Sequence, residues 1–251
     1  MEGRLIYNPH NDFEIPENQN VKIWRYLDFT KYVSLLDKKA LFFTRADKLA
    51  DVFEGSYTKA NIELRSRNFK DEPKRMADFV SSSFKKIREF TIVNCWHMNN
   101  YESAAMWKLY LKSDEGVAIQ STFKRLKENF NQKKSRPVYI GKVRYIDYEK
   151  DVMPQSDALS PYIYKRKSFD HERELRAVSY NVQLNGSSVD SSKVKLNDGD
   201  YFPVDLDLLI EQVYVAPIAQ EWFYELVKSV TKKYCLNKEI VKSNLTASPL
   251  Y

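Results

Sequence analysis

Residues 73–96 read PKRMADFVSSSFKKIREFTIVNCW, and this stretch decides the class of fold. Apolar side chains in its first part recur at the spacing of a helix, while lysine and arginine take the other side. We therefore predict a helix over Pro73–Phe90. Its buried side is expected to carry Met76, Phe79, Val80, Phe84, Ile87 and Phe90. An apolar run over Phe90–Trp96 follows at once and predicts a strand.

Before and after this stretch, helices and strands follow one another without regular strand–helix–strand units. The other elements that matter below are a helix over Ser103–Leu111, strands over Val138–Tyr145 and Leu208–Val215, and a helix over Gln220–Tyr234. The last helix is expected to bury Trp222, Phe223, Leu226, Val227 and Val230. This mixture favours an α+β fold, with a mixed, mainly antiparallel sheet flanked by helices. We expect an irregular arm over residues 1–20, one domain over residues 21–245 and a tail over residues 246–251.

The composition is that of a globular protein. The 251 residues include 43% hydrophobic and 29% charged ones, an ordinary balance for a chain that buries a core. Aromatic residues reach 14%. Core packing accounts for most of them, although aromatic faces also line clefts that hold planar ligands. Lysine and arginine number 40 against 34 acids, a net charge of +6. That balance permits contact with nucleic acid, but a dedicated nucleic-acid binder concentrates its basic residues more strongly.

Several classes of protein are disfavoured. No apolar run approaches the roughly 18 residues that a membrane span needs, and the N-terminus lacks the apolar centre of a signal peptide. Cys95 and Cys235 are isolated and have no zinc-ligand spacing. The sequence therefore predicts a cytoplasmic protein with reduced thiols and without a metal site. It also lacks the glycine-rich phosphate loop, the Gly-x-Ser-x-Gly elbow and the His-Glu-x-x-His zinc helix.

The sharpest local pattern is Glu172-Arg173-Glu174-Leu175-Arg176. If this segment is extended, Glu172, Glu174 and Arg176 share one face, while Leu175 points into the core. Such a group is either an exposed, salt-bridged strand edge or the lining of a cleft, where a carboxylate can bind ribose hydroxyls or stabilise an oxocarbenium-like centre. The pattern by itself favours the exposed edge.

Three further clusters have both a structural and a functional interpretation. Arg25 can clamp a phosphate beside Trp24 and Tyr26, or it can face water while the two rings face the core. The cluster Trp96, His97, Met106, Trp107 and Tyr110 is explained by core packing. The turn Asp51–Gly55 carries two carboxylates that solvation or helix capping explains as readily as catalysis.

A series of short motifs runs along the chain in a recognisable order. It comprises Trp24-Arg25-Tyr26, Leu41-Phe42-Phe43, Leu49–Glu54, Met106-Trp107-x-x-Tyr110, Gly116–Ile119, Glu172-x-Glu174-x-Arg176 and Val213–Pro217. The series resembles the bacterial domain-of-unknown-function family 2971 over about residues 21–245. The chain departs from that family at Ala50-Asp51-Val52-Phe53, where the family shows Asn-Asp-Pro-Phe, so the role of this turn is left open.

The element order of that family is in turn similar to ADP-ribosyltransferase-like folds, and this resemblance implies an NAD site. It implies that Arg25 contacts the phosphates or the nicotinamide end of NAD, with Tyr26 and Trp107 nearby. Phe43 and Thr44 are implied to flank the nicotinamide. The resemblance makes Glu174 the catalytic carboxylate and Glu172 the residue that positions the acceptor. No metal is needed, because a carboxylate can stabilise the positive charge that develops on the ribose.

These observations leave three hypotheses. The first is an NAD-using ADP-ribosyltransferase-like enzyme, such as a bacterial toxin or anti-phage effector that modifies nucleic acid or protein. The second is a non-catalytic module that binds a nucleotide or a nucleic acid through lysines such as Lys85 and Lys86. The third makes Asp51, Glu54, Glu172 and Glu174 the acidic metal site of a nuclease, and it ranks last because no lysine accompanies the Glu-x-Glu-x-Arg acids in sequence.

Overall fold

A computed structural model describes residues 9–68, 73–111, 113–131, 136–155, 158–180, 197–245, 247 and 249. The strands in these residues are β1 Lys22–Asp28, β2 Ala40–Arg45, β3 Thr91–Met98, β4 Gly116–Thr122, β5 Tyr139–Lys142, β6 Arg144–Ile146, β7 Tyr164–Arg166, β8 Glu174–Tyr180, β9 Gly199–Pro203, β10 Gln212–Val215 and β11 Glu239–Lys242. The helices are α1 Phe29–Lys38, α2 Lys59–Asn68, α3 Pro73–Phe90, α4 Ala104–Tyr110, α5 Phe123–Asn131, α6 Leu206–Leu209 and α7 Glu221–Lys233.

The chain divides into two compact units, and each is described by itself. The first unit comprises Met1–Ile15, Phe43–Cys95 and Lys134–Asp200, and the second comprises Pro16–Phe42, Trp96–Lys133 and Tyr201–Tyr251. The boundaries fall inside β2, β3 and β9, so these strands contribute residues to both units.

In the second unit, β4 lies between β1 and β10. Both pairings are antiparallel, with Arg25 opposite Ile119 and Val213 opposite Ile119 on the other side. The end of β3 adds antiparallel to β1, and β11 adds parallel to β10. Helices α1, α4, α5 and α7 pack on these strands. The Asp28 side chain caps α1 by accepting from the Lys31 amide at 2.9 Å, which satisfies a first-turn donor.

In the first unit, β8 lies between β3 and β5, and its pairing with β5 is antiparallel. Because it has a partner on each side, β8 is an interior strand. The apolar core includes Tyr57, Tyr148, Tyr162 and Val178, and the short strands β6 and β7 pair in parallel.

The predicted class of fold is confirmed. The sheet pairing is mainly antiparallel, with the parallel pairs β10–β11 and β6–β7, and helices flank the strands. The long helix has the predicted bounds, Pro73–Phe90. The prediction of its buried side was partly wrong, because Phe79 is 65% exposed. Phe84 and Ile87 do pack against the core, as predicted. In the described part of the chain, no helix is both long and apolar enough to cross a membrane.

Three other expectations were wrong in detail. The strand predicted over residues 138–145 is divided at Val143, because β5 ends at Lys142 and pairs with β8, whereas β6 begins at Arg144 and pairs with β7. The strand predicted over residues 208–215 begins only at Gln212, because Asp205 caps the single turn α6. On α7, Trp222 and Leu226 are exposed, whereas Phe223 and Val227 are buried.

Candidate functional site

A cluster of five charged side chains lies in the first unit, and we call it the ionic cluster. Its members are Glu54, Lys165, Glu172, Glu174 and Arg176. Four of them are buried, and Glu172 is the most accessible, with 12% of its side chain exposed. Charges removed from water are costly unless they are paired and hydrogen-bonded, so the partners of each group are central to what the cluster can do.

Arg176 is the centre of the ionic cluster. Its Nε donates to Glu174 Oε1 at 2.6 Å and its Nη2 donates to Glu174 Oε2 at 2.8 Å. On the other side, Nη1 and Nη2 donate to the two oxygens of Glu54 at 2.7 and 3.0 Å. Nη1 also donates to the Tyr162 carbonyl at 2.9 Å. One planar guanidinium therefore holds two carboxylates, each through two bonds.

Lys165 connects all three glutamates. Its Nζ lies 2.7 Å from Glu172 Oε2, 3.3 Å from Glu54 Oε1 and 3.4 Å from Glu174 Oε2. Three carboxylates against two cations leave the ionic cluster with one excess negative charge. That excess can favour a cation, or a positive charge that develops during a reaction.

The pKa values show which charges persist. Burial alone would raise the pKa of the Glu174 carboxyl, but Arg176 and Lys165 outweigh it and lower that pKa to about 2. Burial would lower the pKa of Lys165, yet the carboxylates of Glu174, Glu54 and Glu172 raise it above its ordinary value. At neutral pH, Glu174 is therefore an ionised carboxylate inside the protein, and Lys165 is charged.

The turn Asp51–Gly55 delivers Glu54 to Arg176. The Asp51 side chain accepts from the Phe53 amide at 3.1 Å, which tightens the turn. Gly55 follows with φ +69°, a left-handed conformation that suits glycine, and a Cβ atom there would overlap the Tyr162 ring. The turn for which the sequence left the role open is therefore part of the site.

Arg166 borders the ionic cluster through the same turn. Its Nη2 donates to Asp51 Oδ1 at 2.8 Å. Its guanidinium carbon lies 4.5 Å from the centre of the Phe53 ring and 5.2 Å from that of Phe169, within the range of cation–π attraction. All four acids of the third hypothesis thus face cations. Among the described residues, no group of three or more His, Cys, Asp or Glu side chains is arranged to hold a metal ion.

The course of the backbone explains why Glu172 and Glu174 differ in burial. Residues Lys167–Glu172 form a 3₁₀ helix, and Arg173 then adopts φ 41° in the left-handed region. The strand begins only at Glu174, so Glu172 precedes it, and the expectation of three side chains on one extended face was wrong. The prediction of an exposed strand edge was also wrong, because β8 is an interior strand and Arg176 is fully buried.

Two neutral side chains adjoin Glu174. The Tyr145 hydroxyl accepts from the Glu174 amide at 2.8 Å. Burial, together with the Glu174 carboxylate, raises the pKa of the Cys95 thiol. Both groups are therefore protonated at neutral pH and leave the charge of the ionic cluster unchanged.

The predicted NAD-binding residues of the second unit are Arg25, Tyr26 and Trp107. Tyr26 and Trp107 are buried and touch edge to face, with ring centres 4.9 Å apart. The Tyr26 hydroxyl accepts from the Ser103 amide at 2.8 Å, and Trp107 Nε1 donates to Glu102 at 2.9 Å. Arg25 is half-buried, and its Nη2 donates to the Phe42 carbonyl at 3.4 Å. Tyr26 and Trp107 are thus brought together as core residues.

The remaining predicted residues, Phe43 and Thr44, belong to the first unit with Glu172 and Glu174. Phe43 is fully buried, and Thr44 is half-buried opposite Val93 of β3. Sequence reasoning missed Lys165, which lies in the basic run Lys165-Arg166-Lys167, and such short runs are typical of a solvated surface. It also missed the pairing of Glu54 with Arg176, which joins residues 122 positions apart. The available signal was the run Tyr162-Ile163-Tyr164, which directly precedes Lys165.

No family model matches the sequence, and no curated protein matches it. Two solved structures are similar to it. One is DarT of Thermus sp. 2.9 in complex with NAD+, with 10% identity, a TM-score of 0.41, and coverage of 91% of this chain and 97% of that chain. The other is the same protein in complex with ADP-ribosylated ssDNA, with 11% identity, a TM-score of 0.41, and coverage of 92% and 96%. The roles of the site residues therefore rest on the geometry of this chain.

Proposed function

We propose that the chain is an ADP-ribosyltransferase-like enzyme that uses NAD as its substrate. The observation that supports this proposal is the ionic cluster, in which three carboxylates, two of them buried, face two cations. When the bond between nicotinamide and ribose breaks, positive charge develops on the ribose. A fixed carboxylate in a site of low dielectric constant stabilises that charge without a metal.

In this proposal the carboxylates of Glu172 and Glu174 supply negative charge to the site of the reaction. Arg25, Tyr26, Phe43, Thr44 and Trp107 stay predicted NAD-binding residues. Because Tyr26 and Trp107 are core residues, we expect them to support β1 from within. Arg25, which is half-buried, is the residue whose replacement by alanine should raise the KM for NAD.

The test is nicotinamide release from NAD by the purified protein, with single-stranded DNA, duplex DNA, RNA and cell-extract protein as acceptors. We expect release by the wild type and none by the double variant Glu172→Gln/Glu174→Gln, with circular dichroism confirming that the variant is folded. Glu149→Gln is a matched control, because Glu149 forms an exposed ion pair with Lys59. A wild type that neither releases nicotinamide nor binds NAD would overturn the proposal.

We further propose that the modified acceptor is a nucleic acid or a protein of a bacterial cell, and that the chain acts as a toxin or anti-phage effector. The prediction is that expression in bacteria slows growth, whereas the double variant does not. Equal growth with both proteins would exclude a toxic activity under those conditions.

A second candidate function is a nucleotide- or nucleic-acid-binding module without catalysis. The observation in its favour is that α3 exposes Lys85 and Lys86 side by side. Such a pair can contact the phosphates of a nucleic acid of any nucleotide sequence, because a phosphate contact does not involve the bases.

A further inference from the structure

We infer that Glu172 is the carboxylate that meets the substrate, and that Glu54, Arg176 and Glu174 act as positioning residues through Lys165. The inference rests on the proposed function and deepens it, because it divides the roles within the ionic cluster. It also names the kind of group that the site recognises, which is a ribose carbon carrying positive charge.

Glu174 is held by both cations of the ionic cluster. Both of its oxygens accept from Arg176, at 2.6 and 2.8 Å, and Oε2 also lies 3.4 Å from Lys165. Its side chain is 3% exposed. A substrate that bonded Glu174 would have to displace the guanidinium, and this would leave Arg176 buried without the two hydrogen bonds that it makes to Glu174. Glu174 therefore serves to hold Arg176 and Lys165 in place.

Glu172 differs from Glu174 in its position and its exposure. It is the last residue of the 3₁₀ helix Lys167–Glu172, outside β8, and its side chain is about four times as exposed as that of Glu174, 12% against 3%. Its carboxylate is fixed by Lys165 at 2.7 Å. It is thus oriented by a buried cation and lies on the accessible side of the ionic cluster.

Glu54 is connected to Glu172 through Lys165. Glu54 holds Arg176 through two bonds and contacts Lys165 at 3.3 Å. Lys165 is thereby anchored on its buried side by Glu54 and Glu174, so that its Nζ reaches Glu172 from a fixed place. Only 2% of the Glu54 side chain is exposed. Glu54 is therefore placed to act through Lys165 without touching the substrate.

The chemistry balances with NAD and an acceptor alone. The bond between ribose C1′ and the nicotinamide nitrogen breaks, and its electron pair leaves with the nicotinamide, which becomes neutral. A nucleophilic O–H or N–H group of the acceptor forms the new bond to C1′ and gives its proton to the Glu172 carboxylate. The carboxylate first stabilises the positive ribose and then accepts the proton.

The experiment compares three single variants for nicotinamide release at saturating and limiting NAD. Glu172→Gln should lower kcat by about 100-fold or more while the melting temperature changes little. Glu54→Gln should lower kcat and leave KM for NAD unchanged, a split that a merely structural role would not give. Asp170→Asn, an exposed acid of the same 3₁₀ helix, is the matched control and should retain wild-type rates.

A second measurement does not depend on turnover. Binding of a protonated iminoribitol, which mimics the positive ribose, is compared with binding of neutral ribitol. The wild type should prefer the cation and Glu172→Gln should lose that preference. Turnover or cation preference that persists in Glu172→Gln would overturn the inference alone. A wild type that shows neither turnover nor cation preference would overturn the proposed function, and the inference with it.

Discussion

Arg176 shows how a single side chain organises its surroundings. A fully buried guanidinium is unfavourable unless its donors are satisfied, and here the donors bond two carboxylates and the Tyr162 carbonyl. Removing one member of such a group leaves the others buried and unpaired, at a cost of about 3–5 kcal/mol. The residues around Arg176 therefore stabilise the fold together.

The lowered pKa of Glu174 predicts a loss of stability in acid. The pKa is about 2 in the folded protein against an ordinary value of 4.5. The stabilisation is complete above the ordinary value and is lost as the pH falls through that range towards 2. The loss is on the order of 3 kcal/mol. Urea unfolding at a series of pH values measures it.

The control for this prediction is Glu174→Gln, which cannot be protonated. Its free energy of unfolding should start lower and fall less steeply as the pH is lowered. If the wild type and the variant gave parallel curves, the carboxylate would not be the source of the acid sensitivity.

Helix α7 shows why neighbouring aromatic residues on one element differ. Phe223 is 1% exposed and touches Phe29 of α1 edge to face, whereas Trp222 is 58% exposed. The helix turns by about 100° per residue, so adjacent positions face different directions. Tyr32 of α1 also bonds Thr231 of α7 at 2.8 Å, and this contact fixes which side of the helix is inward.

For α7 we predict a large loss of stability from one of two adjacent substitutions and almost none from the other. Phe223→Ala should reduce the free energy of unfolding by about 3–5 kcal/mol, because it leaves a cavity. Trp222→Ala should change it by no more than about 0.5 kcal/mol, as exposed positions do. Chemical denaturation of the two variants measures both values, and equal losses would contradict the burial pattern.

At the scale of the whole molecule, the net charge of +6 concerns association with polyanions rather than the fold. The basic residues differ sharply in what they can contribute. Lys165 and Arg176 are buried and paired within the ionic cluster, whereas Lys85 and Lys86 are exposed on α3. Lys165 and Arg176 therefore cannot reach a nucleic acid, whereas the side chains of Lys85 and Lys86 lie at the surface.

This difference predicts how salt acts on nucleic-acid binding. If the binding module is correct, replacing Lys85 and Lys86 by Glu should weaken the affinity for single-stranded DNA. Each lost phosphate contact should flatten the dependence of log Kd on log salt concentration by about 0.7. Fluorescence anisotropy at several salt concentrations measures the slope. Lys228→Glu, which removes an exposed lysine of α7, is the control, and an unchanged slope for the α3 variant would exclude this surface.

The sequence predicted the class of fold and most elements, because periodicity and caps are local signals. The bounds of α3 follow from the periodicity of neighbouring residues alone. Which side of a helix faces the core was less predictable, as Phe79 and Trp222 show, because it depends on the elements that pack against the helix. Glu172 and Glu174 were identified as candidates, but not their different environments. A left-handed Arg173 separates them, and no local rule predicts that conformation for arginine.

The bond between Glu54 and Arg176 has a consequence for how the polypeptide reaches its native state. Its partners are separated by 122 positions, so they meet only after a long loop has closed, and contacts of this kind form slowly. Until the two side chains meet, removing either charge from water is unfavourable. A collapsed chain in which they have the wrong partners is therefore higher in free energy than the native one. The same charges that would serve the reaction therefore disfavour compact but incorrect arrangements of the chain during folding.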